Sequence, residues 1–224
     1  VTGVQTCALP IYRLGIDASH LRKIPGQFTA QAFITTDLDD NQITAFHPGA
    51  MNHAHENHVD GALGAQLAIV APDGREGMLQ HARECAELGI PFVFDPGQGL
   101  PMFSADELRE FVKRADFVAV NDYEGKMLCE RTAWSEADLS RRVRGLIVTL
   151  GARGCDIWVD GQKTHVPAVP ATQVVDPTGC GDAWRGALLY GLEQGWDLVR
   201  CAELGNRIGA LKIAQRGPQN YQLT

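Results

Sequence analysis

Short apolar runs alternate with stretches of helical spacing through most of this sequence, and that alternation constrains the fold more than any other feature. Residues 67–71 and 90–94 are two such runs, with helical spacing over 75–88 between them. Residues 117–120 and 146–150 continue the series, separated by helical segments over 123–131 and 135–142. Ser104 opens a further helix to Arg114, because Glu107 three residues on can close a capping box over the first turn. Short strands that stay apolar on both faces call for a parallel or mostly parallel sheet with helices on both sides. A last strand pair, 146–150 and 155–159, brackets Gly151–Gly154, and helices over 183–193 and 198–214 close the chain. Ahead of the series, 27–36 and 42–46 read as two strands of a hairpin turning at 37–41 (DLDDN). No long linker, internal repeat or low-complexity segment divides the chain.

Composition narrows the function. The 224 residues carry 20 Lys+Arg against 27 Asp+Glu, a formal charge of −7, so the basic footprint of a nucleic-acid or membrane-surface binder is missing. No apolar run reaches the roughly 18 residues a bilayer span needs. Six cysteines (Cys7, Cys85, Cys129, Cys155, Cys180, Cys201) show no C-x-x-C pair, which disfavours a disulfide framework and a structural zinc site and suits a reducing, cytoplasmic setting. Residues 1–11 (VTGVQTCALPI) match the translation of a common sequencing adapter and lack both an initiating Met and a basic n-region. The expectation is that 1–11 are adapter-derived, that 12–224 are the protein, and that the reading frame is cut upstream of Tyr12.

In such a sheet ligands gather at the carboxyl ends of the strands. The segments there are Asp95-Pro96-Gly97, Asn121-Asp122-Tyr123-Glu124 and Gly151-Ala152-Arg153-Gly154, with Asp176-Pro177-Thr178-Gly179-Cys180-Gly181-Asp182 before the penultimate helix. The last one has two glycines that allow close backbone approach, followed by a helix N-terminus whose N–H groups and dipole favour an anion. Asp182, kept ionised by that dipole, can take a proton from a substrate hydroxyl. A base beside an anion hole is what phosphoryl transfer to an alcohol requires, although the same residues also make an ordinary tight turn with a capping Asp. Taken alone, Asn121 and Glu124 read first as a capping box, and a carboxylate beside a neutral amide also suits a hydrated magnesium ion. Gly151–Gly154 reads as a hairpin turn or as a nucleotide-binding loop with Arg153 near phosphates.

Other chemistries find less support. There is no P-loop sequence and no G-x-G-x-x-G after a strand. His53, His55 and His58 with Glu56 fall one residue short of H-E-x-x-H and read as a solvated loop rather than a metal site. Cys180 at a helix start could have a lowered thiol pKa, or simply fill a small-residue position.

Asn121-x-x-Glu124, Gly151-Ala152-x-Gly154 and Asp176–Asp182, in this order, resemble the signature of the ribokinase-like (PfkB) small-molecule kinases. Asp176–Asp182 is similar to the family motif D-T-x-G-A-G-D, with Pro177 and Cys180 as departures. The resemblance implies a three-layer α/β/α fold with a mostly parallel central sheet and its N-terminal part missing. It implies ATP and Mg²⁺ as cofactors, with K⁺ in some members. Asp182 would be the catalytic base, and Gly179, Cys180 and Gly181 the anion-hole amides. Asn121 and Glu124 would organise water-mediated magnesium and phosphate, and Gly151, Arg153, Gly154 and Thr178 would contact the nucleotide. Asp176 and Thr178 match positions that help hold a monovalent cation, and Arg216-Gly217 resembles the loop closing that site.

Residues 35–51 and 120–138 resemble the prokaryotic adenosine kinases of this family. They imply that Phe46, or more loosely Phe33, stacks on a purine in a cytoplasmic enzyme of purine salvage, unless both are core residues of the sheet. Asp95-Pro96-x-Gln98 also resembles those members. The family's G-G-x-x-x-N segment and sugar-gripping Asp have no counterpart here. The first expectation is therefore transfer of the γ-phosphoryl of ATP to the 5′-hydroxyl of adenosine. The alternatives are a sugar kinase acting on ribose or fructose, and a catalytically incomplete nucleotide-binding fragment. The expected partner is a small molecule, with no nucleic acid and no membrane, and a homodimer is compatible with the family.

Overall fold

The computed structural model describes residues 14–36, 42–60 and 64–221. The chain divides into two compact units, Val1–Val59 with Asp73–His81 and Asp60–Pro72 with Ala82–Thr224. Among the described residues no helix is long and apolar enough to cross a membrane.

The first unit contains the expected hairpin. Strand β1 (Gln31–Thr36) runs antiparallel to β2 (Gln42–His47), with Ala32 opposite Phe46 and Phe33 opposite Ala45. The turn expected over 37–41 lies outside the described residues. The stretch with His53 and His55 is a 3-10 helix, Gly49–Glu56, rather than a loop. Its close neighbour is the beginning of α1 (Arg75–Leu88), where a Cβ on Gly77 would sit 2.7 Å from that of Ala54. The Asn57 carbonyl ties the two, accepting from Gln80 Nε2 at 2.9 Å and pairing with the His81 ring at 3.0 Å.

The second unit is built on a six-stranded sheet in sequence order: β3 (Ala68–Val70), β4 (Phe92–Phe94), β5 (Phe117–Asn121), β6 (Gly145–Thr149), β7 (Cys155–Val159) and β8 (Gln162–Val166). Neighbours from β3 to β6 are parallel, while β6–β7 and β7–β8 are antiparallel. The remaining helices are α2 (Ala105–Arg114), α3 (Asp122–Thr132), α4 (Glu136–Ser140), α5 (Cys180–Glu193) and α6 (Leu198–Ile213). Strand residues alternate between faces, and both faces are covered. Val93, Phe117, Ala119, Ile147 and Ile157 form one buried cluster with Trp184 and Leu188 of α5 and Cys201 and Ala202 of α6. On the other face Phe94 stacks on Phe111 of α2, rings parallel within 5° at 4.4 Å, and Val120 and Val148 close on Gly125 of α3. This is the mixed, mostly parallel α/β layering that the apolar runs imply.

The Ser104–Glu107 capping box forms as expected, with Asp106 and Glu107 in the first turn of α2 and Lys113 and Arg114 in its last, complementing the helix dipole. Several elements depart from the sequence reading. Strand β1 starts at Gln31 rather than Gln27, and α5 at Cys180 rather than Ala183. Helix α4 stops at Ser140 rather than Arg142, and the Arg142 guanidinium lies instead over the Trp134 ring at 4.1 Å. Strand β8 was not anticipated, because QKTHV is an edge strand with four of its five residues exposed and so lacks an apolar run. Its signal is the Asp160-Gly161 pair, whose φ of 47° and 78° make the two-residue turn of a tight hairpin.

Candidate active site

Strands β4, β5 and β6 run parallel, so Asp95, Asn121 and Gly151 at or just past their carboxyl ends share one edge of the sheet. Side chains join the segments. Arg185, one turn into α5 from Asp182, makes a two-pronged ion pair with Asp95 at 3.0 and 3.3 Å, both side chains nearly buried. Arg153 pairs with Asp122 across the surface at 2.9 Å. Burial pushes the Glu124 carboxyl pKa up, with nearby Arg185 opposing and Asp95 reinforcing the shift.

The start of α5 has no side-chain cap. Gly179 occupies the N-cap position in the left-handed region, φ 79°, and the next hydrogen bond into the helix is Ala183 N–H to the Gly179 carbonyl at 2.9 Å. The Cys180 N–H is taken by the Pro177 carbonyl at 3.1 Å, so of the amides expected to bind an anion this one already donates within the chain. The N–H groups of Gly181 and Asp182 stand ahead of the helical ladder, where a helix leaves its donors without intrahelical partners. Asp182 is exposed in that first turn. The two glycines differ in surroundings. A Cβ on Gly179 would meet Pro218 at 2.8 Å, whereas the nearest group to a Cβ on Gly181 is the Arg185 guanidinium at 3.8 Å. Burial raises the Cys180 thiol pKa, which removes the lowered-pKa reading of that cysteine.

At α3 the opposite holds. Asn121 Oδ1 accepts from Glu124 N–H and Glu124 Oε2 accepts from Asn121 N–H, both at 2.8 Å, so the capping box is complete. Magnesium remains chemically compatible with Glu124, since Oε1 takes no part in the cap and the half-buried carboxylate would gain a cation. Gly151–Arg153 form a 3-10 turn between β6 and β7. Gly154, φ 96°, is required by packing, because a Cβ there would run into the Val166 carbonyl; Gly151 has open space around it.

The segment before α5 is laced to the end of α6. Val175 and Asp176 N–H both donate to the Ile213 carbonyl, at 2.9 and 3.1 Å. The Asp176 carboxylate accepts from Gly217 N–H at 2.8 Å and Thr178 N–H at 2.9 Å, which hold its pKa down to about 2. Lys212, fully buried, donates from Nζ to the Asp176 carbonyl at 2.7 Å and reaches the Gln215 carbonyl at 3.4 Å. Sequence reasoning missed Arg185 and Lys212. The available signal was a charge on a buried stripe: in α6 the buried positions Leu198, Cys201, Ala202, Gly205 and Ile208 lead at helical spacing to Lys212.

The nucleobase candidates lie in the first unit. Both are exposed, Phe33 at 62% and Phe46 at 48%, so neither is a core residue. The register puts Phe33 with Ala45 on one face of the hairpin and Phe46 with Ala32 on the other, so one face cannot present both rings. His53 pairs with Glu56 at 2.6 Å, and that hydrogen bond lowers the Glu56 pKa.

A sequence model of the pfkB family carbohydrate kinases matches residues 11–224. A nucleoside kinase of Methanocaldococcus jannaschii is 32% identical over 206 residues, 92% of this chain and 68% of that protein. A ribokinase of Lactococcus lactis is 32% identical over 201 residues, covering 85% of this chain and 64% of the relative. Among solved structures, Burkholderia thailandensis nucleoside kinase in complex with inosine superposes with a TM-score of 0.93 at 50% identity, covering 98% of this chain and 72% of that one. The same kinase is also solved with ADP and inosine. The fold of the chain is ribokinase-like.

Proposed function

The chain belongs to the pfkB family of carbohydrate kinases, phosphotransferases with a hydroxyl acceptor, and we propose that it serves a nucleoside kinase moving the γ-phosphoryl group of ATP to the 5′-hydroxyl of adenosine. The observation that carries the reading is the start of α5, an uncapped helix N-terminus with exposed Asp182 beside two N–H groups ahead of the ladder. Asp182 takes the proton of the acceptor hydroxyl as its oxygen bonds to the γ-phosphorus and the bond to the ADP oxygen breaks. The Gly181 and Asp182 N–H groups donate to the oxygens of the transferring group as negative charge builds there, and Gly181 leaves room for its approach. Thr178, Gly151 and Arg153 line the nucleotide side, with Arg153 oriented by Asp122.

Magnesium, when bound with ATP, neutralises phosphate charge, and Glu124 would hold it through water while Asn121 fixes the carboxylate. Phe46 is the ring chosen for stacking on the purine, which places Phe33 on the far face of the hairpin from that contact. The inosine bound to the Burkholderia relative supports a purine nucleoside as acceptor. The likeness to a ribokinase keeps ribose as the second reading.

The test is ADP release by the protein expressed from its full-length gene, supplied in turn with adenosine, inosine, ribose and fructose. Turnover with adenosine is expected. Turnover on a free sugar but on neither nucleoside would replace the proposal with the sugar-kinase reading. Nucleotide binding without turnover on any acceptor would favour a non-catalytic nucleotide-binding module.

A further inference from the structure

We propose that Lys212 is a built-in monovalent cation: its side-chain ammonium takes the place that the family resemblance assigns to potassium and locks the loop that carries the anion-binding turn. The argument starts from what a potassium ion would need here. Asp176 and Thr178 were expected to help hold it, with the segment around Arg216-Gly217 closing over it. A monovalent cation is held by backbone carbonyls and a carboxylate. The carbonyl of Asp176 already accepts from Lys212 Nζ at 2.7 Å, and that of Gln215, in the closing segment, lies 3.4 Å from the same nitrogen. The lysine is wholly buried, so its ammonium is a permanent part of the loop rather than a surface group passing by. The Asp176 carboxylate is likewise engaged, by Gly217 and Thr178 N–H groups. The residues therefore do not fit an added potassium ion, because its carbonyl is occupied and a second positive charge would face the ammonium at close range.

A buried charge needs compensation, and this one has two carbonyl dipoles with the Asp176 side chain next along the chain. The placement also has a consequence for the proposed transfer reaction. The same Asp176 carbonyl lies 4.0 Å from the Cys180 thiol, and Gly179 backs onto Pro218, so the turn that begins α5 is clamped to the segment Lys212 organises. Lys212 is thus a positioning residue. It touches no reacting atom, and fixes the loop from which the Gly181 and Asp182 amides project. This last role rests on the kinase reading, whereas the replacement of potassium does not.

The test is thermal melting of the full-length protein in potassium chloride and in tetramethylammonium chloride at equal ionic strength, which needs no turnover and so stands apart from the identity of the substrate. The wild type is expected to melt at the same temperature in both salts. Lys212→Ala, which empties the space, should melt lower by on the order of 5 °C in tetramethylammonium and recover in potassium. Lys212→Met, which fills the space without a donor, should melt low in both. Potassium-specific stabilisation of the wild type would overturn the proposal. So would the absence of potassium rescue in Lys212→Ala, including a variant that folds in neither salt, since an interchangeable cation should restore the loop.

Discussion

Two helices start at the same edge of the sheet and end their first turns in opposite ways. At α3 the chain satisfies its own donors through the Asn121–Glu124 box, and the same device recurs with Ser104 at α2, Ser135 at α4 and, in simpler form, Asp197 at α6. At α5 the N-cap is a glycine with no side chain to offer, and the amides of Gly181 and Asp182 are left ahead of the ladder. A glycine at the N-cap gives up only about a few tenths of a kcal/mol against Ser, Asn or Asp, so the open start of α5 costs the fold little. The difference sets α5 apart from α2, α3, α4 and α6, and the proposed placement of the transferring phosphoryl group rests on it.

The comparison can be broken most sharply at Asp182. Asp182→Asn should lower turnover on the preferred acceptor by about 10³-fold while nucleotide affinity and melting temperature stay near wild type, because the exposed side chain takes no part in a cap. A loss of stability in place of activity would make α5 an ordinary helix. Next comes Gly181→Ala, expected to fold normally because its Cβ meets only the Arg185 guanidinium, yet to lose about 10²-fold in kcat/KM as the methyl enters the phosphoryl path. Its neighbour sharpens the contrast: Gly179→Ala should unfold about 2 kcal/mol more easily in urea, since it forces a left-handed alanine against Pro218.

Smaller still is Ser104→Ala, which removes a cap remote from the sheet edge and should lower stability by about 1 kcal/mol with kcat unchanged. The smallest effect is on acidification. The Asp176 pKa is lowered on folding from 3.8 to about 2, so its contribution to stability is present above pH 4 and is lost as the pH falls through about 4 to 2. Hydrogen exchange at Gly217 and Thr178, whose N–H groups it accepts, should accelerate across that window, and Asp176→Asn should flatten the change.

Much of this was readable in the sequence because it is local. Apolar runs gave away β3 to β7, and the Ser104–Glu107 spacing set the start of α2. The glycine and acid pattern before α5 also needed no structure, since a turn leading into a helix is written in adjacent residues. What stayed hidden depends on distant partners. Lys212 meets the carbonyl of a residue 36 positions away, and Arg185 meets a carboxylate 90 positions away, so neither pairing leaves a spacing to read. Strand β8 is hidden because an edge strand keeps little apolar surface. The resemblance favours Phe46 and admits Phe33 more loosely, and what it does not show is that the register sets the two on opposite faces, a distinction that turns on a single residue of offset.

Amide chemical shifts of the ¹⁵N-labelled full-length protein, followed as a non-hydrolysable ATP analogue and magnesium are added, test the central contrast most directly. The account predicts large shifts for the Gly181 and Asp182 N–H resonances, while the Glu124 N–H, already bonded to Asn121, and the Glu107 N–H, bonded to Ser104, move little. Nucleotide binding that leaves Gly181 and Asp182 unmoved would contradict it.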